Sequence, residues 1–488
     1  MPPRGIRPRR KISLHVFQAL GWIYGVTIAI VLAILYRESI RWGLIAPLLV
    51  LGVVMFAFVL YLRSIEKVIP FFEIGAFYAA IAFLYFTYPF LKYVLQGYRY
   101  DTGDNRMMAV AHRPETLVTM EWWCVLYLTA FCVTYALVRG RRQIQGRFRV
   151  TAPDWATVAS ILLLLTGARL FFVVLGIFFD MRVSSYLDSY LVIQRLPHVV
   201  RQIAAQVQGI DLTLQIMLVV ALTCAKGKSF RILLYSFLLI TTASHLLAPG
   251  GRISLVAVVL AAAAAHHMVV RPLPLRWIAM AGVVGFVVLI AMAALRTNQD
   301  FDLERLRERM SDHTEFEVIF GNALDLMYLQ DAAGIFRDKP NLYWAGLFAV
   351  IPQQLLPIVK DTPASWYART YYTVYYETGG GLAFGVLSEA VAGYGWPEML
   401  WRGALVGLVL ALLHRKLGRP HVSIYYFMFY LWLMVWSYNT VRGGTFMVLM
   451  LFTHRFLPPV AAVFLLSLLL PRSRNIGRRM FSRRHRTA

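Results

Sequence analysis

Acidic residues are scarce in this sequence. Against 49 lysines and arginines the 488-residue chain has 25 aspartates and glutamates, and charged residues of both signs make up only 15% of it. Soluble domains carry about 25% charged residues, so an assembly of ordinary water-soluble domains is excluded. Cysteine is scarcer still. Cys124, Cys132 and Cys224 all lie in apolar runs, with no CxxC and no neighbouring histidine, so neither a disulfide framework nor a zinc site is indicated. There is no P-loop and no HExxH, and neither a metal centre nor another cofactor is expected. A cleavable leader and a 20 to 50 residue repeat are also missing from the pattern.

What is there is apolar: 59% of the chain is hydrophobic, and the mean hydropathy is +0.60. This composition is that of an all-α polytopic membrane protein. A net charge of +24 would suit a nucleic-acid partner, but the basic residues cluster in short segments between apolar runs, where they orient a membrane protein instead. The partner implied is therefore the lipid bilayer and not nucleic acid. Twelve runs read as spans: 13–36, 42–62, 69–95, 119–138, 154–179, 211–225, 231–248, 253–270, 276–295, 398–414, 421–439 and 444–470.

Lysine and arginine counts set the expected orientation. Segments 4–11, 139–149, 226–231, 271–276, 415–419 and the tail from 472 are basic and read as cytoplasmic, so both termini lie inside. The intervening loops are mixed in charge or nearly bare and read as external. The domain plan is spans one to nine over 1–295, a large external loop over 296–381, a re-entrant segment over 382–397, spans ten to twelve over 398–470 and a basic cytoplasmic tail over 471–488.

The stretch 379–401, GGGLAFGVLSEAVAGYGWPEMLW, organises the rest. Its apolar part, 382–392, has only about 11 residues, and at roughly 1.5 Å each these reach about half of a 30 Å hydrocarbon core. It carries Ser388 and Glu389 in its middle and breaks at Gly393, Gly395 and Pro397. The expected form is a helix that dips into the membrane and turns back, because irregular backbone at that depth is tolerated only inside protein or beside a cavity. A full span here would also put the basic segments after it outside. In the external loop, 301–320 and 323–336 read as amphipathic helices, followed by the aromatic run SWYARTYYTVYY. Such aromatics suit a membrane interface and also suit stacking on sugar rings.

Two arginines sit at matching places. Arg252 closes APGGR before span eight and Arg442 opens RGG before span twelve, each at the expected outward N-terminus of a helix. Free N–H groups, glycine and a forked donor together suit a phosphate or pyrophosphate; the alternative is that both simply snorkel to water. Arg169, inside span five, can join the same anion site. His454 and Arg455 lie deeper and read as structural groups at helix ends broken by Pro458 and Pro459. For acid–base work the candidates are Glu389 and His245, a neutral imidazole near the outer end of span seven. A carboxylate beside arginines is a weak base, so Glu389 also suits orienting an acceptor or holding an arginine.

The order of parts resembles the Wzy-type bacterial O-antigen and exopolysaccharide polymerases. The residues that carry the resemblance are IPQQLLP (351–357), LSEAVAGYGWPE (387–398) and the arginines of GGR and RGG, with Gly385, Glu389, Tyr394 and Gly395 filling the family's pattern after the loop. Tyr394 replaces the family's common Asn-Phe pair. The resemblance implies a GT-C-like bundle of about 12 transmembrane helices with one re-entrant helix, in the bacterial inner membrane. It implies a metal-independent glycosyltransferase that joins undecaprenyl-pyrophosphate-linked repeat units at the periplasmic face. Arg252, Arg442 and Arg169 would then hold the pyrophosphate, Glu389 or His245 would serve the acceptor hydroxyl, and a chain-length regulator and a flippase would be partners. An O-antigen ligase moving the glycan to lipid A core or protein, and a lipid or polysaccharide transporter, are the competing readings.

Overall fold

The computed structural model describes residues 39–66, 71–96, 114–140, 149–179, 196–225, 227–246, 252–274, 280, 315–333, 336–351, 361–373, 376 and 383–470. The first predicted span, almost all of the ninth, residues 301–314 of the helix predicted over 301–320 and the tail from 471 lie outside the described residues. What is described is nearly all helical, and seven of its helices are long and apolar enough to cross a membrane.

In chain order these are α1 (Ser39–Glu66), α2 (Ile74–Gln96), α3 (Pro114–Arg139), α4 (Trp155–Phe178) and α5 (His198–Cys224). After α6 (Lys228–Leu246), α7 (Arg252–Ala265) runs on into a π turn over His266–Val270. The polar segment contributes α8 (Glu315–Ala333), α9 (Leu342–Val350) and α10 (Pro363–Tyr371). Then come α11 (Val386–Ala392), α12 (Trp396–Lys416), α13 (Ile424–Trp436), α14 (Asn439–Arg442), α15 (Met447–Leu451) and α16 (Leu457–Leu469). The crossing candidates are α1 to α5, α12 and the continuous α15–α16 run. A two-residue parallel pairing joins β1 (Arg149–Val150) to β2 (His421–Val422).

Two outcomes depart from the sequence expectation. The predicted span over 211–225 is the second half of a 27-residue helix that starts at His198, because Arg201, Gln202, Gln206 and Gln208 mask its apolar periodicity. The amphipathic helices expected over 301–320 and 323–336 are not separated at 321–322: among the described residues, α8 runs unbroken through Gly321 from Glu315 to Ala333.

The centre of the bundle is the parallel pair α3 and α12. Gly403 and Gly407 form a small-xxx-small step on α12, where a Cβ would run into the carbonyls of Tyr127 and Phe131. Only glycine lets the two backbones approach so closely. The parallel register carries Arg139 and His414 to the same end. There Arg139 Nε donates to Glu73 Oε1 at 2.6 Å, its Nη2 donates to Glu73 Oε2 at 2.9 Å, and it also pairs with Glu66. Tyr135 adds a hydrogen bond of 2.8 Å to Glu73, and His414 Nδ1 meets the Tyr430 hydroxyl at 2.9 Å. Burial pushes the Glu73 carboxyl up, but the charge and hydrogen bonds of Arg139, with the hydrogen bond from Tyr135, hold the group below its usual range.

This cluster ties α1, α2, α3, α12 and α13 at one end. The basic segments converge there too: β1 follows 139–149, β2 follows 415–419, and Trp155 packs on Phe230 beside 226–231 at 5.5 Å. At the other end of α2, Lys92 pairs with Glu317 of α8 at 2.7 Å. Among the described residues, the flanks of the basic segments 139–149, 226–231 and 415–419 therefore lie at one end of the bundle, and α8 meets α2 at the other.

Candidate functional site

The chain breaks between α13 and α15. α13 stops at Trp436, residues 437–446 turn through the four-residue α14, and α15 resumes at Met447. The break is anchored by linked hydroxyls: Tyr78 and Tyr127 meet at 2.5 Å, and Thr440 meets Tyr78 at 2.7 Å. Unpaired backbone groups inside an apolar bundle need partners. One is supplied from outside the break, since Gly385 N–H donates to the Arg442 carbonyl at 2.9 Å. That bond sets α11 against the break. All seven residues of α11 are buried.

Glu389 projects from α11 into this junction. Its Oε2 accepts from Arg402 Nη1 at 2.5 Å, from Thr445 N at 3.0 Å and from Thr445 Oγ1 at 2.9 Å. Its Oε1 accepts nothing from the described residues. Gly444 passes against that oxygen with φ of +101°, and a Cβ there would lie 2.5 Å from Oε1. Backbone geometry and space both require glycine at this point.

Arg402 is held on every side. Its Nε donates to Glu398 Oε2 at 2.8 Å, its Nη1 also donates to Thr445 Oγ1 at 2.6 Å, and its guanidinium lies 4.7 Å from the Trp401 ring and 5.6 Å from the Tyr343 ring. Glu398 additionally accepts from Trp401 Nε1 at 2.9 Å and from the Tyr343 hydroxyl. Loss of water, then the hydrogen bond and charge of Glu398, push the Tyr343 phenol up to about 12. Lys339 closes the hairpin by donating to the Ala392 carbonyl at 2.8 Å. The arrangement fixes one carboxylate oxygen with three donors and gives the other none among the described residues.

The junction also contains Arg442, half-buried on α14 and three residues before Thr445. Arg169 lies elsewhere, pairing with Asp211 at 3.0 Å and donating to the Thr241 carbonyl at 3.2 Å. Arg252 opens α7 and His245 lies in the last turn of α6, but both side chains lie outside the described residues. Arg402, Glu398, Thr445 and Tyr343 escaped the sequence reading. A signal was present in the i,i+4 pair Glu398 and Arg402 at the head of an apolar helix.

Among the described residues, Glu66, Glu73 and His414 bring potential metal-ligand atoms within 4.8 Å of one another. Arg139 already bridges the two carboxylates and supplies the cation there.

Compared with known proteins, the chain matches no family model, no curated protein and no solved structure. The fold itself defines a class: a helical, multi-pass membrane protein.

Proposed function

We propose that the chain is a Wzy-type oligosaccharide repeat-unit polymerase of the bacterial inner membrane, with 382–397 as a re-entrant segment, twelve spans in all and both termini cytoplasmic. The observation that carries the reading is the Glu389 carboxylate, oriented through Oε2 by Arg402 and Thr445, with no donor to Oε1 among the described residues. In the proposed reaction a hydroxyl of the incoming undecaprenyl-pyrophosphate-linked unit attacks the anomeric carbon of the growing chain. The C–O bond to pyrophosphate breaks, and undecaprenyl pyrophosphate leaves with the bonding pair. Glu389 Oε1 orients the attacking hydroxyl, and His245 is the alternative group for its proton.

The leaving group needs positive charge near the departing oxygen more than it needs a strong acid. Arg442 and Arg252 are proposed to supply it. Arg169 contributes less, because Asp211 balances its charge. The described flanks of three basic segments lie at the end opposite the α2–α8 contact, which supports a cytoplasmic assignment for that end and a periplasmic one for the polar segment.

The test is the glycan profile of a strain lacking the chain. Single attached repeat units support a polymerase. Long unattached chains support instead an O-antigen ligase, and an unchanged profile removes both.

A further inference from the structure

Between α15 and α16 the backbone winds for five residues, Phe452–Phe456, as a π-helix. Such single turns re-aim side chains and recur at functional sites. His454 turns back to its own helix, where Nδ1 meets the Met450 carbonyl at 2.8 Å. Arg455 does not bond to a helix end, as the sequence suggested. Its guanidinium has no hydrogen bond or ion pair with any described residue.

Its surroundings are nevertheless built to hold it. The aliphatic stem lies on Gly209 of α5, where a Cβ would come 2.9 Å from Arg455 Cγ and 3.1 Å from Cδ. The guanidinium lies 5.6 Å from the Trp436 ring. The next residue, Phe456, packs on Trp432 and Phe429 at 5.1 and 5.3 Å, one and two turns before Trp436 on α13. Arg455 therefore leans back toward the break at 437–446. The indole N–H of Trp436 is buried and has no acceptor of its own. The guanidinium thus lies over the face of a ring whose own N–H is buried, and neither donor has a hydrogen-bond acceptor among the described residues. Arg455 is half-buried, so its guanidinium stays open to a ligand, and an arginine within an apolar bundle is costly unless an anion or water joins it.

We propose that Arg455 is an anion seat for a phosphoryl group, in a position that the glycine at 209, the π turn and Trp436 together define. Assigning that phosphoryl group to the lipid-linked diphosphate rests on the polymerase reading; the other source of the same chemistry is the phosphate of a membrane phospholipid.

The experiment uses the purified full-length protein in nanodiscs of zwitterionic lipid, titrated with inorganic pyrophosphate and followed by thermal unfolding. Pyrophosphate should raise the unfolding temperature of the wild type. Arg455→Gln should raise the half-saturating concentration by about tenfold or more, the loss of a charge-assisted hydrogen bond, with Arg455→Lys in between. Gly209→Ala keeps the charge but crowds the stem, and should weaken binding in a protein whose Arg455 is intact. Loss of the pyrophosphate response in nanodiscs of anionic lipid supports a seat filled by phospholipid; persistence there supports the substrate diphosphate. Equal half-saturation in Arg455→Gln and wild type, or no response of the wild type in either lipid, overturns the seat. A seat that binds pyrophosphate in a protein that elongates no lipid-linked repeat unit keeps this inference and removes the polymerase reading.

Discussion

Glu389 and Arg402 stand thirteen residues apart in sequence and 2.5 Å apart in space, on the two arms of the hairpin formed by α11 and α12. Their contact is almost wholly buried, at 6% and 1% side-chain exposure, so it is shielded from the screening that weakens surface pairs. Arg402 also neutralises part of Glu398. Removing it leaves two buried carboxylates without their cation. Arg402→Ala is expected to cost about 3–5 kcal/mol, the usual penalty for breaking a buried ion pair, and to lower abundance together with activity. Glu389→Gln keeps the shape of the site. Normal levels by immunoblot with loss of polymer is its expected result.

Gly444→Ala separates geometry from charge. The new methyl meets Glu389 Oε1 in a backbone conformation with positive φ. That strain costs on the order of 1–3 kcal/mol. The glycan profile should shift toward single repeat units while Arg402 and Glu389 remain present. Full polymer length in this variant would show that Oε1 has no part in the reaction.

Tyr343→Phe removes a donor to Glu398 and leaves the ring beneath Arg402. A hydrogen bond to a charged acceptor is worth about 1.5–3 kcal/mol. The phenol is pushed from its ordinary 10.0 to about 12 in the folded protein. Its stabilisation is therefore fully present below about pH 10 and fades as pH rises toward 12. Urea unfolding of wild type and Tyr343→Phe should show a constant gap up to that point and a shrinking one above it.

The basic end gives a topological expectation. Asp338 and Arg419 are both exposed, one in the polar segment and one beside β2. Single cysteines at these positions should lie on opposite sides of the membrane. In spheroplasts a membrane-impermeant maleimide should label position 338 and spare position 419. Labelling of both, or of 419 alone, contradicts the assignment.

The break between α11 and α12 was legible because its signals are local: a short apolar stretch with an acid in it, then Gly393, Gly395 and Pro397. The partner of the acid was not. Arg402 lies near the start of a run that reads as an ordinary span, where an arginine looks like a residue reaching for water. Only the turn of α12 against α11 brings it to Glu389.

The break after α13 was hidden in the same way. Thr440 to Gly443 reads as an external loop between two spans, whereas Asn439, Thr440 and Val441 are buried and Thr440 is bonded to Tyr78 of α2. Sequence hydropathy registers polarity but not whether a partner stands opposite. The close approach of α3 and α12 does have a local trace, in the spacing of Gly403 and Gly407, although its partner helix has no matching mark.

The most direct measurement is elongation by reconstituted full-length protein, given undecaprenyl-pyrophosphate-linked repeat units and no ion gradient. The account predicts a ladder of lengthened lipid-linked glycans with the wild type and none with Glu389→Gln. No ladder from a folded wild type, or an equal ladder from Glu389→Gln, would contradict it.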